Sequence, residues 1–294
     1  MEHRSDSVAA KSRLDETSIL VALVGAGIQA SRTPCLHERE GAEQGLKYIY
    51  KLVDLEALQL DVGALPEIVT AAQRFGFAGL NVTHPCKQAI IALLDQLAPD
   101  AAELGAVNTV IFENGARVGY NTDCSGFAES FRRELHDVSL NRVVQLGAGG
   151  AGAAVAHALL NLGVRQVVLI DIDQSRAQDL ARKLCERFGP GRATTDNTIG
   201  QALASADGLV NTTPVGMAKY PGMPLAAHLL HQELWVADIV YFPLETELLR
   251  TARSRGCRTM AGGGMAVFQA VAAFRLFTGR EPDAERMLRH FSSM

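Results

Sequence analysis

The chain contains no run approaching 18 uninterrupted apolar residues, so nothing in it has the length a membrane-spanning helix needs. It also lacks a block of like charge. Twenty-eight basic residues against 32 acidic ones leave a formal charge of -4, with no electrostatic footprint for nucleic acid or an anionic membrane. Cysteine is sparse: five residues, at 35, 86, 124, 185 and 257, with no CxxC pair. That spacing excludes the common zinc and dithiol frameworks, so no metal is expected, and the usage suits a reducing cytoplasm. The opening MEHRSDSVAAKSRLDETS lacks the basic-then-apolar order of a signal peptide, and residues 1–18 are expected to form a flexible leader.

What is present is glycine and apolar residue in quantity. With 27 Gly and 48 % hydrophobic residues over 294 positions, the chain suits two domains of buried strands joined by glycine-bearing turns. Two glycine-rich turns compete for a nucleotide. In VALVGAGIQA (21–30), Gly25 and Gly27 are followed by Ala30, and Pro34 falls where a phosphate-binding helix should already be running. Residues 19–25 therefore read as an ordinary parallel strand, followed by a loop that presents the hydroxyls of Ser31 and Thr33.

The stretch NRVVQLGAGGAGAAVAHALLNLGVRQVVLIDID (141–173) has the full strand–turn–helix–strand frame. Gly147 permits the tight turn, Gly149 lets a pyrophosphate approach the backbone, and Gly152 lets helix and sheet pack closely. Asp171 ends the second strand, where a carboxylate can accept both ribose hydroxyls of NAD. The 2'-phosphate of NADP would meet like charge there, and the nearest cation is deferred to Arg176.

The alternation of elements predicts an α/β protein with two domains. A mostly parallel substrate domain spans 19–123, a Rossmann-like NAD-binding domain spans 124–264, and helices over 265–294 return to pack on the first. ENGA (113–116) reads as the turn of a hairpin. In NVTHPCKQA (81–89), a strand ends and KQAIIALLDQLA predicts a helix that Lys87 opens, on the unfavourable side of the helix dipole. The residues alone leave Lys87 as a solvated surface cation or a functional one. His84 and Cys86 read as wall or turn residues and His37 as a helix residue, because none has a partner set for metal binding or nucleophilic catalysis.

SRTP (31–34), NVTHPCK (81–87), GAVNT (105–109), GYNTD (119–123), GAGGAG (147–152), NTTPVGM (211–217), YFP (241–243) and GGGMAVFQA (262–270) together resemble the shikimate/quinate dehydrogenase family over about residues 19–290. The resemblance implies a cytoplasmic enzyme that interconverts a ring alcohol and ketone on a cyclic carboxylate with a nicotinamide cofactor, in quinate catabolism or aromatic amino acid biosynthesis. It implies Lys87 and Asp123 as the catalytic pair. Ser31, Thr33, Thr83, Asn108 and Gln269 would complete the substrate site. Gly147, Ala148, Gly149, Gly150, Ala151, Gly152, Asp171, Arg176, Thr212, Pro214, Met217, Tyr241, Gly264 and Met265 would line the cofactor. Asp171-Ile172-Asp173 departs from the asparagine-arginine-threonine start of NADP-using members, and Thr33 replaces the second serine of the serine-x-serine motif. Both changes resemble NAD-dependent quinate/shikimate dehydrogenases, so NAD is expected over NADP. Another cyclic hydroxy or amino acid as substrate, or a non-catalytic sensor of NAD and a small acid, remain as alternatives. The assembly expected is a monomer or homodimer.

Overall fold

The computed structural model describes residues 18–294, so the expected leader lies outside the described residues up to Thr17. The chain divides into two units, one running to Tyr120 and taking back Ala273–Met294, the other Asn121–Ala272. The first is built from β1 (Ile19–Gly25), α1 (Thr33–Glu43), β2 (Tyr48–Asp54), α2 (Leu65–Arg74), β3 (Gly79–Val82), β4 (Gln96–Leu97), α3 (Pro99–Leu104), β5 (Thr109–Glu113) and β6 (Ala116–Tyr120). Its sheet runs β2-β1-β3-β5-β6-β4. β1 pairs parallel with β2 and β3, β5 is antiparallel to β3 and β6, and β4 lies parallel to β6.

The sheet is covered on both faces, which is why β1 reads as a continuous apolar run. Ala22 and Val24 pack with Leu80 and Val82 against Leu65 and Val69 of α2. Val21 and Leu23, alternating to the other face, join Tyr48, Tyr50, Phe274 and Phe277. His37 is fully buried among these last four rings. Its Nδ1 lies 3.1 Å from the Tyr48 hydroxyl, Nε2 has no hydrogen-bond partner, and burial pushes its pKa down to about 3.

The second unit contains α4 (Asp123–Glu134), β7 (Arg142–Leu146), α5 (Gly150–Asn161), β8 (Gln166–Ile170), α6 (Gln174–Phe188), β9 (Ala193–Thr195), α7 (Ile199–Leu203), β10 (Gly208–Asn211), β11 (Trp235–Asp238), α8 (Glu247–Ser254) and β12 (Arg258–Met260). The six strands are all parallel in the order β12-β11-β10-β7-β8-β9, so the winding reverses between β7 and β10. α9 (Gly262–Thr278) starts in this unit and ends in the first, followed by α10 (Ala284–Ser292). In the first unit, Arg286 of α10 makes a two-pronged contact with the buried Glu40 carboxylate of α1, at 2.8 and 2.7 Å. The two-domain α/β architecture with C-terminal helices on the first domain is therefore as expected.

One local expectation fails. KQAIIALLDQLA does not form an α-helix: Lys87 lies in a turn, a 3-10 segment covers Ala89–Leu93, and β4 follows. Strand pairing overrides the helical spacing, because Asp95 exchanges backbone and side-chain hydrogen bonds with Arg117, and the Ala98 N–H reaches the Gly119 carbonyl. The helix-dipole argument for Lys87 lapses with the helix.

Candidate active site

In the first unit, the C-terminal ends of β1 and β3 and the start of β5 lie at one end of the sheet. That end carries Ser31, Thr33, Thr83, Lys87 and Asn108. The Thr83 N–H bonds the Val24 carbonyl at 2.9 Å, the Val82 N–H bonds the Asn108 carbonyl at 2.8 Å, and the Val107 N–H bonds the Lys87 carbonyl at 2.9 Å. Gly25 has a reason unrelated to nucleotide: a side chain there would collide with Thr83 Cγ2 and crowd the His84 carbonyl. Lys87 is half-buried, whereas Asn108 is buried.

The loop with Ser31 and Thr33 is clamped by a residue the sequence reading passed over. Asp54, buried at the end of β2, accepts from the Gly27 N–H (2.8 Å) and Glu56 N–H (3.1 Å) on Oδ1. On Oδ2 it accepts from the Ile28 N–H and Gln29 Nε2, both at 3.0 Å. Burial opposes its ionisation, but the hydrogen bonds from Gln29, Gly27, Ile28 and Ala57 outweigh it and hold the carboxyl below its ordinary range. Thr33 then opens α1 with Pro34 in its first turn, and the Thr33 N–H donates to Ser31 Oγ at 3.3 Å. The signal in the sequence was the single acid closing the strand YIYKLVD.

In the second unit, the glycine turn lies where the winding reverses, the usual ligand crevice of such sheets. Gly147 has φ +96°, and a side chain there would press on Thr212. A side chain at Gly152 would meet the Gly147 carbonyl and Gln145. At Gly149 and Gly150 it would meet nothing within 4 Å, which leaves the start of α5, with its outward N–H groups at Gly150, Ala151 and Gly152, open to an anion. Thr212 Oγ1 lies 2.8 and 2.9 Å from the Leu146 and Gly147 carbonyls and braces the turn. Asp171 accepts from the Ala148 N–H (2.6 Å) and the Asp173 N–H (2.9 Å), and its remaining lone pairs suit ribose hydroxyls. Arg176 is drawn back to Asp173, 3.6 Å away, and is more than half exposed. These residues fit a nicotinamide dinucleotide.

The loop after β10 is fixed by a buried network. Asn211 Nδ2 donates to the Val215 carbonyl and to Asp238 Oδ1, both at 3.0 Å, and Asn211 Oδ1 accepts from the Thr213 N–H and hydroxyl. Asp238, wholly buried, also takes the Val240 N–H and the Thr246 hydroxyl. Burial pushes its pKa up to about 6 against the pull of these hydrogen bonds. The Met217 N–H closes a turn on the Pro214 carbonyl, and the Ala218 N–H reaches the Phe242 carbonyl beside Tyr241. Met217 and Tyr241 are exposed. Asp123 is buried in the first turn of α4, its N–H on Asn121 Oδ1. Gly264, Met265 and Gln269 of α9 face α4, where Gly126 permits contact with the Met265 and Gln269 backbone and Gly264 abuts Ser130. Among the described residues, no group of three or more His, Cys, Asp or Glu could hold a metal, and no helix is long and apolar enough to cross a membrane.

The residues match known proteins along nearly the whole chain. The model for the shikimate dehydrogenase substrate binding domain matches residues 23–110, and that for the shikimate 5'-dehydrogenase C-terminal domain matches 262–290. A ThiF family model matches 120–195, the stretch with the glycine turn. The chain is 58 % identical to the shikimate dehydrogenase (NADP(+)) of Streptomyces avermitilis over 283 residues, 96 % of this chain and 97 % of that one. It is 46 % identical to the quinate/shikimate dehydrogenase (NAD(+)) of Corynebacterium efficiens over 284 residues, 96 % of this chain and 100 % of that one. The structure of quinate dehydrogenase from Corynebacterium glutamicum in complex with NAD matches with a TM-score of 0.89 at 46 % identity, covering 94 % of this chain and 99 % of that one. Identity of this extent, carried through both units, makes the chain a member of the shikimate/quinate dehydrogenase family.

Proposed function

We propose that this chain is a dehydrogenase that reversibly oxidises a ring secondary alcohol of quinate, shikimate or both to the 3-dehydro ketone. The observation that carries the proposal is the convergence of Ser31, Thr33, Thr83, Lys87 and Asn108 at one end of the first unit's sheet, in a chain that shares 46 % identity with a quinate dehydrogenase. NAD is the cofactor this reading assigns. Gly147–Gly152 would hold its pyrophosphate, Asp171 its adenosine ribose, and Thr212, Pro214, Met217, Tyr241, Gly264 and Met265 the nicotinamide side. When bound, the cofactor supplies the acceptor for the hydride of the carbinol carbon. The relative named for NADP(+) is the more identical one, but the carboxylate of Asp171 and the Arg176–Asp173 contact both disfavour a 2'-phosphate.

The chain's own work is positioning and proton handling. Ser31 and Thr33, two residues apart on the clamped loop, donate hydroxyls to the substrate carboxylate without adding a full charge. Thr83, Asn108 and Gln269 take the ring hydroxyls. Lys87 and Asp123 share the proton that leaves the carbinol oxygen on oxidation and return it on reduction. The substrate is thus a small cyclic carboxylate, handled by a monomer or homodimer in the cytoplasm. Steady-state kinetics with quinate and shikimate, each with NAD and NADP, test the reading: turnover of at least one acid with NAD preferred is expected. Tight NAD binding without turnover of either acid would overturn it in favour of a sensor.

A further inference from the structure

Beneath Asn108 lies a set of polar groups that the proposed chemistry does not use. The Tyr50 hydroxyl, on β2, is 2.7 Å from Asn81 Oδ1. Asn81, the one polar side chain in the strand GLNV, places Nδ2 3.0 Å from Thr109 Oγ1 and 3.3 Å from the Asn108 carbonyl. Thr109 Oγ1 is 3.0 Å from Asn108 Oδ1. Tyr50, Asn108 and Thr109 are buried, and the Asn108 backbone is pinned by the Val82 N–H on its carbonyl and by its own N–H on the Tyr120 carbonyl.

The direction of each bond follows from the groups. A carbonyl only accepts, so the Asn81 atom facing the Asn108 carbonyl is its nitrogen, and its oxygen faces Tyr50, which must donate. Thr109 Oγ1 accepts from that nitrogen and spends its one proton on Asn108, whose facing atom is therefore the oxygen. We propose that Tyr50, Asn81 and Thr109 form a one-way hydrogen-bond relay that holds the Asn108 amide with its nitrogen toward the substrate, making Asn108 a donor to a substrate oxygen. The two ends of an asparagine amide have the same shape, so packing alone does not choose between them; the relay does. Its consequence is selection by hydrogen-bond polarity. A hydroxyl or carboxylate oxygen is accepted at this position, and a protonated amino group, which has no lone pair, is refused. The inference rests on the reading that Asn108 touches the ring acid. Tyr50, Asn81 and Thr109 are positioning residues, acting through it.

The test uses Thr109→Val, which keeps shape and removes the proton, Thr109→Ser, which keeps the proton, Asn108→Ala, and the double variant Asn108→Ala/Thr109→Val. Thr109→Val should raise KM for quinate and shikimate about threefold to tenfold, the size of one hydrogen bond. Its kcat should change by less than about twofold, with NAD affinity unaltered. Thr109→Ser should restore KM, and Thr109→Val should add nothing in the Asn108→Ala background. A full additive effect in the double variant, or Thr109→Ser behaving as Thr109→Val, would overturn the relay. Neutron diffraction of the unmodified protein separates the two assumptions. Deuterons on the Asn108 atom facing Thr109 would refute the relay, whereas an unchanged KM in Asn108→Ala with the deuterons facing away would refute only the substrate contact.

Discussion

Lys87 is half-buried in a turn and lies in the first unit, and Asp123 opens α4 in the second. If the pair handles the proton, Lys87→Ala should lower kcat by roughly 10²–10⁴-fold, the usual worth of a positioned acid or base. NAD affinity should survive, because the residues assigned to the dinucleotide belong to the other unit. A folded Lys87→Ala enzyme with turnover within a factor of two would remove the lysine from the mechanism. Asp171 belongs to the same scale. Its carboxylate already accepts two backbone N–H groups, which fix its orientation. Asp171→Ala should raise KM for NAD on the order of tenfold or more, for about 1.5–3 kcal/mol of charge-assisted hydrogen bonds, and leave kcat nearly unchanged. A kcat/KM that favours NADP in the unmodified protein would contradict the assignment.

At the scale of elements, the β1–α1 loop has its shape set by an acid on the neighbouring strand. Asp54→Ala removes the acceptor of five donors at once, so the loop should lose its register while the sheet stays paired. The expected result is a KM for quinate or shikimate raised on the order of tenfold, with NAD affinity unaltered, as for the loss of charge-assisted hydrogen bonds at a binding loop. Equal losses in NAD and substrate affinity would point to general unfolding. This loop also shows where sequence reading stops. The strands ILVALVG and RVVQL were legible because apolar runs bounded by glycine have few other readings, and the glycine turn because its spacing is demanded by sterics. Asp54, Asn81 and Thr109 were not legible as a set: their roles depend on which strands lie side by side, and β3 next to β5 is a long-range pairing that spacing does not encode. The segment after Lys87 was misread for the same reason, since β4 exists only because β6 is there to pair with it.

At the scale of the whole molecule, the two units carry opposite responses to pH. His37, in the first, is held neutral with its pKa down at about 3 from an ordinary 6.5. The stability this represents, on the order of 5 kcal/mol, is fully present above pH 6.5 and is lost as pH falls toward 3. Asp238, in the second, is pushed from 3.8 up to about 6. Its contribution, about 3 kcal/mol, is fully present below pH 3.8 and is lost as pH rises through 6. His37→Leu should flatten the acid limb of thermal stability measured by calorimetry, and Asp238→Asn, which keeps the shape, should flatten the loss between pH 4 and 6. An unchanged slope in either variant would show that the group does not titrate as its burial requires. The division of the chain has a further consequence, for synthesis. The second unit is one continuous stretch, but the first needs Ala273–Met294 to lay Phe274 and Phe277 over Val21, Leu23, Tyr48 and Tyr50. The half translated first must therefore wait on the ribosome with that apolar face bare until the C-terminal half of α9 emerges, while the half translated second can close before it. Released chains ending at residue 272 should show protease protection of residues 121–272 and rapid cleavage between 18 and 120, and the reverse pattern would refute this order.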